Sequence, residues 1–203
     1  MNLPAPLPAD QPAEPIDLPD LGPVLGAVVE EERGALPFSL IHGEALVACA
    51  AWALGEAGVT PVDQGTTWEA VAASGEAFVL HDALCPMTPA WFVSRCVETA
   101  LERGAVVIGV RPVTDTVKRL EVGDGVAVVG ETLDRDRLCS IASPVVLPPE
   151  VVATLAEWPS TDFGALADDL AARLPVLTIQ APPEARRVAS VDEVRLLEAL
   201  TSR

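Results

Sequence analysis

Lysine is nearly absent from this chain: among 13 basic residues in 203, only Lys118 is a lysine. Against them stand 30 acidic residues, a net charge of −17. Such a balance excludes binding to nucleic acid by phosphate neutralisation, and to an anionic membrane surface for the same reason. A phosphate-bearing small molecule then needs a local cationic pocket. No uninterrupted apolar run reaches the length a membrane span requires. No Lys or Arg precedes Arg33, so the start of the chain does not read as a secretory signal, and the expected compartment is the cytoplasm. The four cysteines, Cys49, Cys85, Cys96 and Cys139, form no Cys-x-x-Cys pair, which argues against a metal cage or a disulfide scaffold. They read as small thiols in a reducing compartment. What is present is apolar bulk, 50% of residues with a mean hydropathy of +0.35, enough for one domain with a sizeable core.

Residues 1–23 hold seven of the 19 prolines and read as a tail that can be neither a helix nor a central strand. Residues 24–203 read as a single domain. A buried strand is expected at 25–29, a helix at 44–58 stopped by Gly58, and a short buried strand at 77–80. The strongest helix is 88–104, with Thr88 as cap, Pro89 at the first helical position and Gly104 as stop. Phe92, Cys96 and Ala100 form one apolar row along it, and Val93, Val97 and Leu101 another. The next strand is 105–110, so strand, helix and strand with short joins predict a parallel βαβ unit. Residues 125–147 read as two extended segments joined at a charged turn, an arm. Helices at 148–157 and 161–173, a strand at 176–180 and a helix at 190–202 with a Ser190/Glu193 capping box complete the chain.

The stretch Phe78-Val-Leu-His-Asp-Ala-Leu-Cys-Pro86 ends an apolar strand on His81-Asp82. Ligands of open α/β sheets sit at the carboxyl ends of the strands, so Asp82 is placed for a metal-binding or catalytic carboxylate. The alternative is that Asp82 caps a turn before Pro86. His81 reads as orienting that turn, and His42 as a turn residue without chemistry.

Residues 77–147 resemble the 2-C-methyl-D-erythritol 4-phosphate cytidylyltransferases of the non-mevalonate isoprenoid pathway. Those proteins carry a His-Asp-Ala-Ala-Arg-Pro signature after a strand, here His81-Asp82-Ala83-Leu84-Cys85-Pro86. They later carry Pro-(Val/Leu)-x-Asp-Thr-(Ile/Val/Met)-Lys, here Pro112-Val113-Thr114-Asp115-Thr116-Val117-Lys118. The resemblance implies an α/β, Rossmann-like nucleotidyltransferase (GT-A-like) sheet, truncated in its N-terminal half, with a protruding β-arm at about 111–146. It implies a homodimer through that arm. The implied reaction is transfer of a cytidylyl group from CTP to methylerythritol phosphate with Mg²⁺, chemistry that rests on positioning and charge stabilisation. Asp82 and Glu184 fall at the implied metal positions. Thr116, Lys118, Arg135 and Arg187 fall at implied substrate-binding positions.

The pattern breaks at three places. The family's glycine-rich triphosphate cradle is replaced by Glu30-Glu31-Glu32-Arg33-Gly34-Ala35-Leu36, and Phe38 stands where a lysine follows the proline. A like-charge pair at 4 Å costs roughly 4 kcal/mol at an effective dielectric of 20, so three carboxylates oppose a triphosphate. Residues 58–77 leave room for one strand and a short helix where the family reads the base. Cys85 replaces an arginine and cannot hold a phosphate oxygen. The leading expectation is a family member without CTP binding or catalysis, and so without a cofactor, with a structural, regulatory or ligand-sensing role; in its sharper form the arm residues Lys118, Arg119 and Arg135 still hold a small phosphorylated ligand. The alternatives are an active cytidylyltransferase with a rebuilt nucleotide site and Mg²⁺, or another enzyme on the same scaffold.

Overall fold

The computed structural model describes residues 21–63, 65–123 and 125–202. The proline-rich tail lies outside the described residues except for its last three. The centre is a six-stranded sheet in the order β10-β6-β9-β5-β1-β4. Its strands are β1 (Val24–Val29), β4 (Thr60–Pro61), β5 (Ala77–Asp82), β6 (Val106–Pro112), β9 (Cys139–Leu147) and β10 (Val176–Gln180). β1 pairs parallel with β4 and β5, and β10 parallel with β6, while β9 runs antiparallel between β5 and β6. The expected βαβ unit is therefore present, but its two parallel strands are held apart by a later reversed one.

Every residue of β5 is buried, which fits its continuous apolar run and its central place. Helices α1 (Leu46–Glu56) and α3 (Ala90–Arg103) share one apolar cluster with one face of the sheet, through Leu54, Val93, Cys96 and Val97. Helices α2 (Trp68–Ser74), α4 (Pro149–Val152) and α5 (Phe163–Ala171) share the other, through Trp68, Val71, Val152, Leu166 and Leu170. A third cluster joins α6 (Val191–Thr201) to Leu84 and Val188, beside the turn that follows β5.

Several expectations are corrected. β5 runs on to Asp82, so His81 and Asp82 belong to the strand rather than following it. Thr88 does not cap α3; its hydroxyl donates to the Cys85 carbonyl at 2.9 Å, and Pro89 takes the cap position. The first helix begins at Leu46 because β2 (Leu40–Ile41) and β3 (Glu44–Ala45) pair with each other first. The helix expected over 148–157 stops at Val152. Beyond it, Leu155 gives its carbonyl to the Trp68 indole N–H at 2.8 Å, and Trp158 packs on Trp68 and Phe78 at 5.3 and 5.6 Å between ring centroids. The arm also pairs differently. Its hairpin is β7 (Val117–Gly123) with β8 (Val126–Leu133), turning between Gly123 and Val126. The charged turn after β8 instead returns the chain to the centre of the sheet as β9.

Candidate functional site

The carboxyl ends of β1 and β5 lie side by side, with Val29 opposite Asp82. The Asp82 side chain is buried and fully engaged. Its Oδ1 accepts the Leu84 backbone N–H at 2.9 Å, the turn-capping role of the alternative reading. Two guanidinium groups close over it: Arg33 Nε lies 3.2 Å from Oδ1 and 3.3 Å from Oδ2, and Arg187 Nε lies 2.9 Å from Oδ2. Side-chain exposure is 3% for Asp82, 8% for Arg33 and 39% for Arg187. Arg33 spends its other nitrogens on the carbonyls of Glu31, at 3.2 Å, and Thr161, at 2.6 Å.

Local structure delivers both arginines. After β1 the chain turns sharply, Arg33 N–H donating to the Glu30 carbonyl at 3.3 Å, and Glu32 takes a left-handed φ of 61°. That conformation is strained for a residue with a Cβ. Arg187 follows a short 3-10 turn at Pro183–Ala185 and is fixed by its neighbour, whose Val188 N–H donates to the Leu84 carbonyl at 2.8 Å. A cavity of about 330 Å³ lies against this triad, lined also by Glu32, Asp162 and Phe163.

Behind Asp82, β9 approaches β6 closely at Gly109, where a Cβ would sit 2.6 Å from the Ser143 carbonyl oxygen. That approach sets the Ser143 hydroxyl against His81 Nδ1 and 2.9 Å from the Asp82 backbone N–H, which donates to it. His81 is wholly buried, and its Nε2 has no hydrogen-bond partner among the described residues. Burial lowers its pKa to about 4, and the nearby Asp82 only partly opposes this, so His81 stays neutral and orients the strand end. Burial also pushes the Cys85 thiol well up, with Asp82 adding to the effect.

The implied metal pair is not brought together. Glu184 is exposed and lines a separate groove of about 690 Å³, with His42, Glu44, Trp52 and Trp91, whereas Asp82 lines the first cavity. Among the described residues no cluster of three His, Cys, Asp or Glu side chains could hold a metal ion. The donor set at Asp82 does not fit Mg²⁺. Its oxygens are taken by N–H donors, and a doubly charged ion at about 4 Å from one guanidinium meets roughly 8 kcal/mol of repulsion, twice the unit-charge value at that dielectric.

The arm is built differently. Thr116 and Arg135 line one exposed cavity of about 400 Å³, with Thr132, Asp134 and Asp136. Arg135 donates to the Thr114 carbonyl, which ties the short turn Arg135–Arg137 to the arm's root. Lys118 Nζ donates to Thr132 Oγ1 at 2.6 Å across the hairpin. Thr116 and Arg135 thus come together with Lys118's partner Thr132, while Arg187 lies with Asp82 in a different cavity. The three glutamates also separate: Glu30 and Glu31 line a cavity with Asp63 and Trp158, and Glu32 lines the Asp82 cavity.

Sequence reasoning did not pair Arg33 with Asp82, or give the Ser143 hydroxyl a role. The available signal was an arginine in the loop after one parallel strand, beside a neighbouring strand that ends in aspartate.

This sheet, with its switch from parallel to reversed strands and its projecting arm, is that of a Rossmann-like nucleotidyltransferase. Solved structures agree on the fold: 2-C-methyl-D-erythritol 4-phosphate cytidylyltransferase from Thermus thermophilus superposes with a TM-score of 0.63 at 19% identity, over 88% of this chain and 98% of that one. The 4-diphosphocytidyl-2C-methyl-D-erythritol synthase of Anaerococcus prevotii gives 0.65 at 14% identity, over 91% and 98%. Residues 58–173 match the sequence profile of the family described as IspD, 2-C-methyl-D-erythritol 4-phosphate cytidylyltransferase. The chain belongs to that family. Among curated relatives, the bifunctional enzyme IspD/IspF of Anaeromyxobacter dehalogenans is 36% identical over 135 residues, 64% of this chain and 34% of that protein. The 2-C-methyl-D-erythritol 4-phosphate cytidylyltransferase of Nocardia farcinica is 31% identical over 128 residues, 62% and 54% respectively. The matched region thus spans between a third and somewhat over half of those relatives.

Proposed function

We propose that this protein is a member of the family that does not transfer a cytidylyl group, and that its role is structural, regulatory or ligand-sensing. One observation carries the reading: Arg33, from the loop where a triphosphate cradle would lie, is folded onto Asp82 and bonded to two carbonyls. Backbone N–H groups cradle phosphates when a glycine-rich loop turns them outward. Here the loop carries three glutamates, and its one cation is already spent.

The arm is the part suited to a ligand. Thr116 and Arg135 share its cavity with Asp134 and Asp136, and Lys118 reaches Thr132 on the same rim, so the ligand we propose is a small phosphorylated molecule met by Arg135. A second copy of the chain is the proposed partner, through the exposed apolar residues of the hairpin, Leu120, Val122, Val126, Val128 and Val129. A two-stranded hairpin with an apolar surface is marginal until it is covered. Reversing charge at Arg135 is expected to abolish binding of a sugar phosphate and leave the dimer intact.

The competing reading is an active enzyme making CDP-methylerythritol with a rebuilt nucleotide site. It is favoured by the complete Pro112–Lys118 motif and by the cavity of about 450 Å³ beside β1, where Trp158 offers an aromatic surface for a base. Calorimetric titration with CTP and magnesium decides between them. The proposal expects no heat at millimolar CTP. Micromolar binding, followed by pyrophosphate release with methylerythritol phosphate, would establish the enzyme instead.

A further inference from the structure

We propose that Arg33 and Arg187 are a built-in replacement for a divalent cation at Asp82, so that the chain closes the carboxyl end of its own sheet and no metal enters there. The inference rests on the reading of a site without nucleotide transfer, and deepens it by naming what fills that site.

A carboxylate offers about four lone-pair positions. At Asp82 three N–H donors make contact on both oxygens: Leu84 N–H on Oδ1, Arg187 Nε–H on Oδ2, and Arg33 Nε–H shared between the two. Two guanidinium groups also bring the charge of one divalent ion. They differ from an ion in two respects: they never lose their protons, and they do not dissociate. Occupancy is therefore fixed by folding rather than by metal concentration.

Arg33 is held as a structural tie. Its three nitrogens join the loop after β1, the end of β5 and the segment before α5, through Glu31, Asp82 and Thr161. The left-handed Glu32 immediately before it shows that a strained turn is tolerated in order to aim this side chain. Arg187 is approached from the opposite direction in sequence and is anchored by buried Val188. A ligand-binding arginine keeps nitrogens free, whereas every nitrogen of the Arg33 guanidinium is engaged within the chain.

The test uses Mn²⁺ as probe, with electron paramagnetic resonance on the full chain, in the wild type, Asp82→Asn and the double variant Arg33→Gln/Arg187→Gln. The wild type and Asp82→Asn are expected to bind Mn²⁺ equally, as counter-ions of an acidic surface. The double variant, with its carboxylate released, is expected to gain a site at least about tenfold tighter, lost again when Asp82→Asn is added. One Mn²⁺ per wild-type chain, removed by Asp82→Asn, would overturn the proposal, as would a folded double variant with no gain. Where circular dichroism shows the double variant unfolded, the comparison of wild type with Asp82→Asn still decides. Titrating CTP in the presence of EDTA separates the two readings: binding there, followed by pyrophosphate release once Mg²⁺ and methylerythritol phosphate are added, overturns the non-transferring function, while the Mn²⁺ comparison decides the arginine replacement by itself.

Discussion

The carboxyl end of the central sheet and the β7–β8 arm each carry one of the two family signatures, and they are organised in opposite ways. At the sheet end, Asp82 and Arg33 are buried and satisfied within the chain, and Arg187, half-exposed, adds a third bond to the carboxylate through its Nε. On the arm, Leu120, Val122, Val126, Val128 and Val129 are 59% to 79% exposed, and Thr116 and Arg135 face an open cavity. The same kind of residue therefore has different work in the two places. An arginine whose donors are spent inside the protein holds the fold, whereas one at an open cavity can meet a ligand.

The largest effect that could break this contrast is on stability. Asp82→Ala leaves two guanidinium groups facing each other without a counter-charge, and is expected to cost about 3–5 kcal/mol in urea unfolding. Thr116→Ala on the arm should fall within about 0.5 kcal/mol. Equal losses at both places would erase the distinction.

Acid should act on the sheet end next. His81 has a folded pKa lowered to about 4 from 6.5, so between those values the unfolded chain takes up a proton that the folded chain refuses. Stability is unaffected by this group above pH 6.5 and falls as pH drops through the window, by about 3 kcal/mol in all. In urea unfolding between neutral pH and about pH 4.5, His81→Gln should lose less stability than the wild type; identical slopes would remove His81 as the cause.

On the arm, Leu120→Lys is expected to leave monomer stability within about 0.5 kcal/mol and to dissociate the proposed dimer in sedimentation or size-exclusion runs. An unchanged oligomeric state would show that the apolar hairpin serves something other than a second copy.

Thiol chemistry gives the finest distinction. Cys139 begins β9 on the exposed side, and Cys49 is half-buried, while Cys85 and Cys96 are buried, burial raising the Cys96 thiol to about 12. An aromatic disulfide reagent should label Cys139 first and Cys49 slowly, reaching Cys85 and Cys96 only on unfolding. Rapid labelling of Cys85 in the folded protein would mean that the sheet end opens.

Much of the fold was legible because the signals are local. The periodic apolar rows of α3, the left-handed Gly104 that ends it, the Ser190 cap of α6 and the buried run of β5 each depend on residues a few positions apart. The arm's pairing was not legible in the same way. Residues 126–133 have strand character whichever neighbour they take, and the choice of β7 over β9 is settled by the tight turn at Gly125, whose φ is 77°. Nor was the end of α4, since Trp158 must find Trp68 and Phe78 before the reason to stop exists.

The sequence by itself determined the α/β class, the family and the missing glycine-rich cradle, because each is written in short stretches with their own propensities and chemistry. The turn cap that Asp82 gives Leu84 was legible locally, but only the tertiary structure decided its arginine partners. Arg33 and Arg187 are 49 and 105 residues away, and whether a carboxylate meets a cation or a metal depends on which loops the sheet brings to one end. That is a property of strand order and packing, which no local pattern encodes.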